Sequence, residues 1–310
     1  MPLDPDLKKL LGTVSAIEEI DLDGIDATQF RQMIDAADLS MKTEVINLPH
    51  VEDLKIPVDG GSIEARFYSD SPESNSLILF FHGGGFVFGN VDTHDSVCRL
   101  MAKNSGCKVL SVNYRLAPEH KFPTAVLDAY SAYTWAREHA TDLGIDRSRI
   151  GLSGDSAGAN LCAVLSLKAR NEGVPAPSVQ VLFYPVVGVD YSSSSQREFS
   201  EGYFLSGKLS SWFLKQYTSS PSDLLNPYFS ILGVGDLSNL PETLVFTAEF
   251  DPLRDQGETF VSRLKASGTK ASGIRALGMI HGFISFFEFS GSARDFLVMG
   301  SKFIGYALQQ

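Results

Sequence analysis

Short apolar runs alternate with helix-like segments along most of the chain, and this alternation limits the fold more than any other feature. The predicted strands are 77–81, 109–112, 150–152, 179–183 and 244–246, and the predicted helices between them are 96–104, 123–139, 156–171 and 255–266. Strands that are apolar throughout are covered on both faces, and strands separated by helices run parallel. The pattern predicts an α/β fold with a mostly parallel central sheet and helices on both faces.

Size and charge exclude several functional classes. At 310 residues and 44% hydrophobic content, the chain can bury one large core and a small cap. Its net charge of −11 disfavours nucleic acid and anionic membranes as partners. The three cysteines have no CxxC spacing, so neither a disulfide framework nor a metal site is expected. We find no signal peptide and no apolar run of the roughly 20 residues that span a bilayer, and therefore expect a cytoplasmic protein without membrane insertion.

Two segments depart from the alternation. Near the N-terminus, Asp4 before a proline and Asp26 three residues before a glutamine predict the starts of two short helices. Their apolar faces, Leu7/Leu10/Leu11 and Phe30/Met33/Ile34, must be buried against other parts of the protein. The second segment, 188–222, is rich in serine but carries several aromatic residues, among them Tyr203, Phe204, Trp212, Phe213 and Tyr217. It is interpreted either as a lid or as a surface excursion with one helix.

The segment Gly154-Asp-Ser156-Ala-Gly158 lies where a predicted strand ends and a helix begins. Glycines permit a sharp turn there, and a serine on such a turn projects its hydroxyl group above the sheet. The positive end of the following helix then lies near negative charge that develops during acyl transfer. The pattern predicts Ser156 as a nucleophile; the alternative is a glycine-rich turn with an incidental serine.

A run of three glycines, Gly83, Gly84 and Gly85, follows His82 directly after the strand 77–81. Acyl transfer needs N–H donors aimed where the oxyanion forms, and consecutive glycines leave their N–H groups free to do this. We expect this loop to form an oxyanion hole, with Gly84 and Gly85 as the leading donors and Ala157 donating from the other side. A nucleotide-binding loop is disfavoured, because the spacing is GxGxxxG and no Walker lysine follows.

The general base and its acid are expected further along the chain. In α/β-hydrolases the order is Ser, acid, His, and His281 alone among the six histidines follows Ser156. The acid should follow a strand at the carboxyl edge of the sheet. Glu249, Asp251 and Asp255 follow the last predicted strand. On the residues alone Asp251 is the leading candidate, although it also suits an N-cap, and the other two remain alternatives.

Six motifs together resemble the hormone-sensitive-lipase-like (family IV) esterases of bacteria and archaea over nearly the whole chain. They are His82-Gly-Gly-Gly-Phe-Val, Asn113-Tyr-Arg-Leu-Ala-Pro-Glu-His120, Phe122-Pro123, Gly154-Asp-Ser-Ala-Gly158, Asp251-Pro-Leu-Arg-Asp255 and His281-Gly-Phe283. The resemblance implies Ser156, Asp251 and His281 as the catalytic triad, and an oxyanion hole formed by the glycine loop and Ala157. It also implies a cap that covers the active site.

The expected domains follow from this resemblance. Residues 1–45 form the N-terminal part of the cap, 46–187 the first part of the catalytic domain, 188–222 the cap insertion and 223–310 the second part of the catalytic domain. The predicted function is hydrolysis of short- to medium-chain carboxylic esters through an acyl-enzyme, with a small-molecule ester as partner and without metal or organic cofactor. Lipase-like activity belongs to the same class.

Other readings and details remain open. An amidase or deacetylase could use the same scaffold, and plant gibberellin receptors resemble the family but lack the catalytic histidine that is present here as His281. Four phenylalanines are candidates for an apolar pocket: Phe86, Phe88, Phe204 and Phe287. A homodimer is a hypothesis, because the segment 295–308 has an apolar helical stripe and related esterases often pair through their sheet edges.

Overall fold

An eight-stranded sheet forms the centre of the computed structural model, which describes residues 1–14, 22, 24–41, 45–189 and 192–310. The strands are β1 (His50–Val58), β2 (Gly61–Ser69), β3 (Leu77–Phe81), β4 (Lys108–Asn113), β5 (Ile150–Asp155), β6 (Val179–Phe183), β7 (Glu242–Phe250) and β8 (Ala271–Ile280). Their order across the sheet is β1-β2-β4-β3-β5-β6-β7-β8. β2 pairs antiparallel with β1 and β4, and every pair from β4 to β8 is parallel. The predicted fold class is confirmed.

Helices cover both faces of this sheet. They are α1 (Pro5–Val14), α2 (Ala27–Met41), α3 (Asp95–Ser105), α4 (Thr124–Glu138), α5 (Ala157–Asn171), α6 (Ser194–Phe199), α7 (Gly207–Tyr217), α8 (Arg254–Ala266) and α9 (Gly291–Gln309). Successive side chains of a strand point to opposite faces, so the sheet separates two hydrophobic clusters. In β3, Leu79 and Phe81 belong to one cluster and Ile78 and Phe80 to the other.

Three strands were not among those predicted from apolar runs. β1 and β2 form a hairpin in which β1 is largely exposed, and β8 is the last strand of the sheet and is exposed at several positions. Strands at the edge of a sheet are half-solvated, so their residues alternate between apolar and polar instead of forming a continuous apolar run. The central strands β3, β4, β5 and β6 are almost wholly buried, which is why their runs were recognisable.

The two N-terminal helices begin where the sequence predicts. Asp4 Oδ1 accepts the N–H of Leu7 at 3.2 Å, and Asp26 and Gln29 form a reciprocal capping box. The helices nevertheless join different clusters: Leu7 packs in the same cluster as α9, whereas Phe30 packs in the cluster that contains the insertion. Residues 15–21, 23 and 42–44 of the predicted N-terminal cap segment lie outside the described residues.

The insertion 188–222 contains two helices, α6 and α7, in its described part, whereas the surface-excursion interpretation predicted one; residues 190 and 191 lie outside that part. Its aromatic side chains pack inward. The ring centroid of Trp212 lies 5.0 Å from that of Phe30, and that of Tyr217 lies 3.9 Å from that of Phe86. The segment is therefore packed against both α2 and the loop that follows β3.

The apolar stripe of α9 is part of the core. Leu297, Ile304 and Leu308 are buried in the cluster that also contains α3. This stripe therefore packs inside the protein and cannot meet a partner subunit, so the part of the homodimer hypothesis that rested on it is wrong. Met299 and Tyr306 are the large hydrophobic side chains of α9 that remain exposed.

Candidate active site

Ser156 occupies a strained turn between β5 and α5, with φ 50° and ψ −115°. Such a conformation costs a non-glycine residue on the order of 1–3 kcal/mol and persists only where the surroundings enforce it. A Cβ atom at Gly158 would lie 1.9 Å from the carbonyl oxygen of Phe81, and one at Gly154 would lie 2.6 Å from it. The glycines thus allow β3 to approach the turn, which holds Ser156 at the carboxyl edge of the sheet.

His281 follows β8 and connects Ser156 to Asp251. Its Nε2 lies 2.9 Å from Oγ of Ser156, and its Nδ1 lies 2.9 Å from Oδ2 of Asp251. A carboxylate can only accept, so Nδ1 carries the proton, and Nε2 of a neutral ring is left to accept from the serine hydroxyl group. All three side chains are buried, with exposures of 8%, 5% and 0% for Ser156, His281 and Asp251.

The three acids considered after β7 have different partners. Asp251 contacts His281, as described above. Glu249 forms an ion pair with the amino terminus at 2.8 Å. Asp255 accepts the N–H of Ser195 at 2.8 Å. The structure thus brings Asp251 to the histidine and gives Glu249 and Asp255 other contacts.

The glycine loop lies beside Ser156, but its N–H groups are not equivalent. Gly83 donates its N–H to Oδ1 of Asp155 at 2.8 Å, so it cannot also donate to an oxyanion. The expectation that Gly83 belongs to the oxyanion hole is corrected on this ground. The N–H groups of Gly84, Gly85 and Ala157 have no acceptor among the described residues. Ala157 is also the first residue of α5, where helix N–H groups lack intrahelical partners.

Comparison with known proteins identifies the family. A family model described as the alpha/beta hydrolase fold matches residues 78–285. An arylesterase of Saccharolobus solfataricus is 39% identical over 286 residues, which cover 92% of this chain and 93% of that protein. The chain belongs to the hormone-sensitive-lipase-like esterases.

Further relatives agree with this membership. The carboxylic ester hydrolase LipN of Mycobacterium tuberculosis is 40% identical over 305 residues, covering 94% of this chain and 79% of that protein. Among solved structures, a hyperthermophilic esterase from the archaeon Pyrobaculum calidifontis is 42% identical and superposes with a TM-score of 0.94 over 99% of both chains. The sequence prediction of an enzyme of the carboxylic ester hydrolase class is confirmed.

Asp155 is a residue of this esterase site that the sequence analysis did not single out. It is 4% exposed and lies between the glycine loop and the nucleophile. Besides the Gly83 N–H, it accepts from the hydroxyl group of Tyr184 at 3.4 Å. Nε2 of His94 lies 3.2 Å from Oδ1, which places the two side chains in electrostatic contact. Asp155 directly precedes the predicted nucleophile within the sharp glycine turn. This position was the signal that could have revealed its role.

The charges around Asp155 are consistent with an ionised carboxylate. Burial alone would raise the pKa of Asp155, but the His94 imidazole and the Gly83 N–H hold it below its ordinary value. Burial, together with the neighbouring His94, lowers the pKa of His82 to about 3, so His82 stays neutral. Its ring stacks on Tyr114 at 4.3 Å, which gives the histidine of the HGGG motif a packing role.

A cavity of about 200 Å³ opens above Ser156 and His281. Its walls are mostly apolar and come from α2, the glycine loop, the insertion and the segment after β8. The apolar side chains of α2 and of the insertion that line it are Phe30, Ile34, Val189, Leu205, Leu209, Phe213, Leu214 and Phe204. No described residue of α1 lines this cavity.

Three of the four predicted pocket phenylalanines line the cavity: Phe86, Phe88 and Phe204. The fourth prediction, Phe287, is wrong. Its side chain is 3% exposed in the cluster on the opposite face of the sheet, with the guanidinium of Arg294 over its ring at 5.7 Å. The short 3-10 helix Phe283–Phe286 turns the chain away from the cavity before this residue.

The cap segments are tied to the site by polar contacts. Arg31 of α2 donates from Nε to the carbonyl oxygen of Val87, in the loop after β3, at 2.6 Å, and from Nη2 to that of Ala117 at 2.6 Å. Ser195 of α6 donates from Oγ to the carbonyl oxygen of Pro252 at 2.9 Å. Each helix is therefore fixed to a loop that carries residues of the site.

Within the described ranges, no group of three or more histidine, cysteine or acidic side chains could hold a metal ion. In the same ranges, no helix combines the length and the apolar character that crossing a membrane requires.

Proposed function

We propose that this esterase hydrolyses short- to medium-chain carboxylic esters, with Ser156 as nucleophile, His281 as general base and Asp251 as the acid that orients the histidine. One observation carries the proposal: the unbroken series Asp251–His281–Ser156, with 2.9 Å at both contacts, at the floor of an apolar cavity. Nucleophile, base and orienting group within hydrogen-bond distance are what covalent acyl transfer requires.

In the acylation step, Oγ of Ser156 attacks the ester carbonyl carbon while Nε2 of His281 takes the hydroxyl proton. Asp251 holds the ring in the tautomer that accepts at Nε2 and stabilises the imidazolium that forms. The carbonyl oxygen becomes an oxyanion, to which Gly84, Gly85 and Ala157 donate their N–H groups. Loss of one such donor costs on the order of 2.7–4 kcal/mol in the transition state.

The tetrahedral intermediate collapses when its carbon–alkoxy bond breaks. The alcohol leaves with the proton that His281 holds, and the acyl group stays on Ser156. In the second step His281 removes a proton from water, which attacks the acyl carbonyl carbon. The second intermediate releases the carboxylic acid as Ser156 takes back its proton.

The cavity supports a small substrate. An engineered apolar cavity of about 150 Å³ accommodates benzene, so about 200 Å³ fits a short acyl chain together with a small alcohol group. Within the segments 1–45 and 188–222, α2 and α7 act as the cap that covers Ser156, and 46–187 with 223–310 act as the catalytic domain. α1 braces the opposite face of the sheet, where Leu7 packs.

The decisive experiment is hydrolysis of p-nitrophenyl esters from acetate to decanoate by the wild type and by Ser156→Ala. We expect the substitution to lower kcat by on the order of 10⁶, as loss of a triad nucleophile does, with the thermal unfolding curve unchanged. Ser62→Ala, at an exposed serine of β2, is the matched control. A phosphonate should label the wild type once and Ser156→Ala not at all; wild-type turnover in folded Ser156→Ala would refute the assignment.

A homodimer also remains a proposal. With the α9 stripe buried, it depends on an edge strand of the sheet, β1 or β8, pairing with a second copy. Light scattering at micromolar concentration tests it, and a monomer mass under those conditions would contradict it.

A further inference from the structure

Gln256 is a buried polar side chain that the proposed mechanism does not use. It lies in the first turn of α8, is 4% exposed and lines the cavity above Ser156. Its Oε1 accepts the N–H of Val187, directly before the insertion, at 2.9 Å. The side chain thus has one half fixed by the backbone and the other half adjacent to the substrate space.

The orientation of this amide is determined by its partner. A backbone N–H can only donate, so the oxygen of Gln256 must face Val187 and the NH₂ group must face the other way. Nε2 has no acceptor among the described residues and is not sealed from the cavity. Two N–H bonds of one fixed group therefore point away from the backbone at the cavity wall.

The cavity that this donor lines is mostly apolar. Leu253, Leu205 and Val189 are among its lining residues, with a few polar side chains such as Gln196. A donor that stays unpaired in such surroundings is unfavourable, and a site with such a group discriminates against ligands that cannot pair with it. An ester whose acyl and alcohol groups are pure hydrocarbon would leave Nε2 unpaired. An ester with an additional oxygen acceptor in one of these groups would satisfy it.

We propose that Gln256 is a substrate-binding residue whose Nε2 selects esters that carry a second acceptor oxygen, such as a keto or ether oxygen, outside the scissile ester group. The substrate class is small oxo- or alkoxy-substituted carboxylic esters. This inference rests on the proposed ester hydrolysis at Ser156 and specifies which esters that site prefers.

Two pairs of esters with equal numbers of non-hydrogen atoms test the acyl and alcohol sides separately. Ethyl 4-oxopentanoate is compared with ethyl 4-methylpentanoate, and 2-methoxyethyl butanoate with butyl butanoate. For the wild type we expect kcat/KM to favour the oxygen-bearing ester about tenfold in at least one pair, the size of roughly one net hydrogen bond. Equal kcat/KM values in both pairs would overturn the proposal.

The diagnostic variant is Gln256→Glu, because a carboxylate keeps an acceptor for the N–H of Val187 but replaces the donor with a second acceptor. We expect its preference for the oxygen-bearing ester to disappear. Gln196→Glu adds the same charge to the same cavity from α6 and should keep the wild-type ratio. Since each ratio is measured within one variant, a general loss of activity does not alter it.

Other results would overturn the inference. These are an unchanged ratio in Gln256→Glu, or an equal loss of preference in Gln196→Glu, which would assign the effect to charge. If Gln256→Glu does not fold, Gln256→Met, of similar length and uncharged, replaces it with the same expectation. Failure of the proposed ester hydrolysis at Ser156 gives a different result from failure of the Gln256 proposal. In that case the wild type hydrolyses neither ester of a pair, or Ser156→Ala hydrolyses both.

Discussion

The floor and the roof of the cavity are built differently. The floor consists of backbone, namely the turn at Ser156 and the glycine loop. In the turn, a Cβ atom at Gly158 would lie 1.9 Å from the carbonyl oxygen of Phe81. The roof is side chains: the ring of Phe30 packs 5.0 Å from Trp212 and 5.9 Å from Phe213. Backbone contacts leave no room for an added atom, whereas apolar side chains can repack. We therefore expect the floor to fix the chemistry and the roof to determine which esters fit.

The two regions meet at one point. A Cβ atom at Gly85, one of the proposed oxyanion donors, would lie 2.3 Å from the ring of Phe213 in α7. The insertion thus rests directly on the glycine loop. Changes in the floor should alter the rate for all esters alike, and changes in the roof should alter the order of preference among them.

The largest effect is expected in the floor. Asp251→Asn should lower kcat about 10⁴-fold for every ester, because the neutral amide cannot hold His281 in the required tautomer. Asp255→Asn is the matched control: its carboxylate accepts from Ser195 and lies on α8, so we expect a much smaller loss. Single-turnover kinetics of both variants measure this, and a reversed order would show that Asp255 is the acid.

Asp155→Asn should give the next largest effect, a fall in kcat of about ten- to a hundredfold with little change in KM, because its contacts orient oxyanion donors that act only in the transition state. The amide oxygen can still accept the Gly83 N–H, but the negative charge beside His94 is lost. Affinity for a phosphonate transition-state mimic should fall in parallel with kcat.

Asp146→Asn, at an exposed aspartate before β5, is the control for Asp155→Asn and should behave as the wild type. A rise in KM with unchanged kcat in Asp155→Asn would show that Asp155 affects substrate binding rather than the transition state. An equal loss of thermal stability in both variants would not change this reading, because the kcat-against-KM split is measured on folded protein.

The floor was the easier half to predict from the sequence. Ser156 and Asp251 each follow a strand that the apolar runs predicted, and the carboxyl ends of β5, β7 and β8 lie at one edge of the sheet. His281 was selected by its order in the chain although β8 was not predicted, and the choice of Asp251 over Glu249 and Asp255 needed the family resemblance. Asp155 and the diversion of the Gly83 N–H were not foreseeable. They depend on the distance between two loops that are about seventy residues apart, and nothing in a local pattern encodes that distance.

The roof was the harder half. The helices of the N-terminal segment were predicted from their caps, but not that α1 and α2 would lie on different faces of the sheet. Amphipathic spacing shows that a helix buries one face and does not show against which partner. The same limit explains the errors at Phe287 and at the α9 stripe, where apolar residues were correctly expected to be buried but were assigned to the pocket and to a dimer interface.

A comparison of α1 with α2 tests the roof. Phe30→Ala should lower the free energy of unfolding by about 3–5 kcal/mol and Leu7→Ala by about 2–5 kcal/mol, because both side chains are fully buried. Only Phe30→Ala should also change the preference among acyl lengths, by about tenfold toward longer chains, since Phe30 lines the cavity and Leu7 does not. The ester series at a temperature where both variants are folded decides this; an altered preference in Leu7→Ala would make α1 part of the roof.

The smallest effect is expected where the roof is fastened to the floor. Arg31 makes two kinds of contact: hydrogen bonds to the carbonyl oxygens of Val87 and Ala117, and an ion pair with Glu119, which is 49% exposed. Arg31 lowers the pKa of Glu119, so the carboxylate is charged at neutral pH. An exposed ion pair nevertheless contributes only about 0–1 kcal/mol to stability. Hydrogen bonds from a charged donor contribute about 1.5–3 kcal/mol each, and they hold α2 against the loop that carries the proposed oxyanion donors. Glu119→Gln should therefore keep the wild-type kcat/KM and acyl preference at any salt concentration.

Arg31→Met should lower kcat/KM about three- to tenfold and broaden the acyl preference, because α2 keeps its apolar contacts but loses its fixed distance from the glycine loop. If Glu119→Gln and Arg31→Met instead reduce kcat/KM equally, and salt reproduces the effect in the wild type, then the ion pair rather than the carbonyl contacts holds the roof in place.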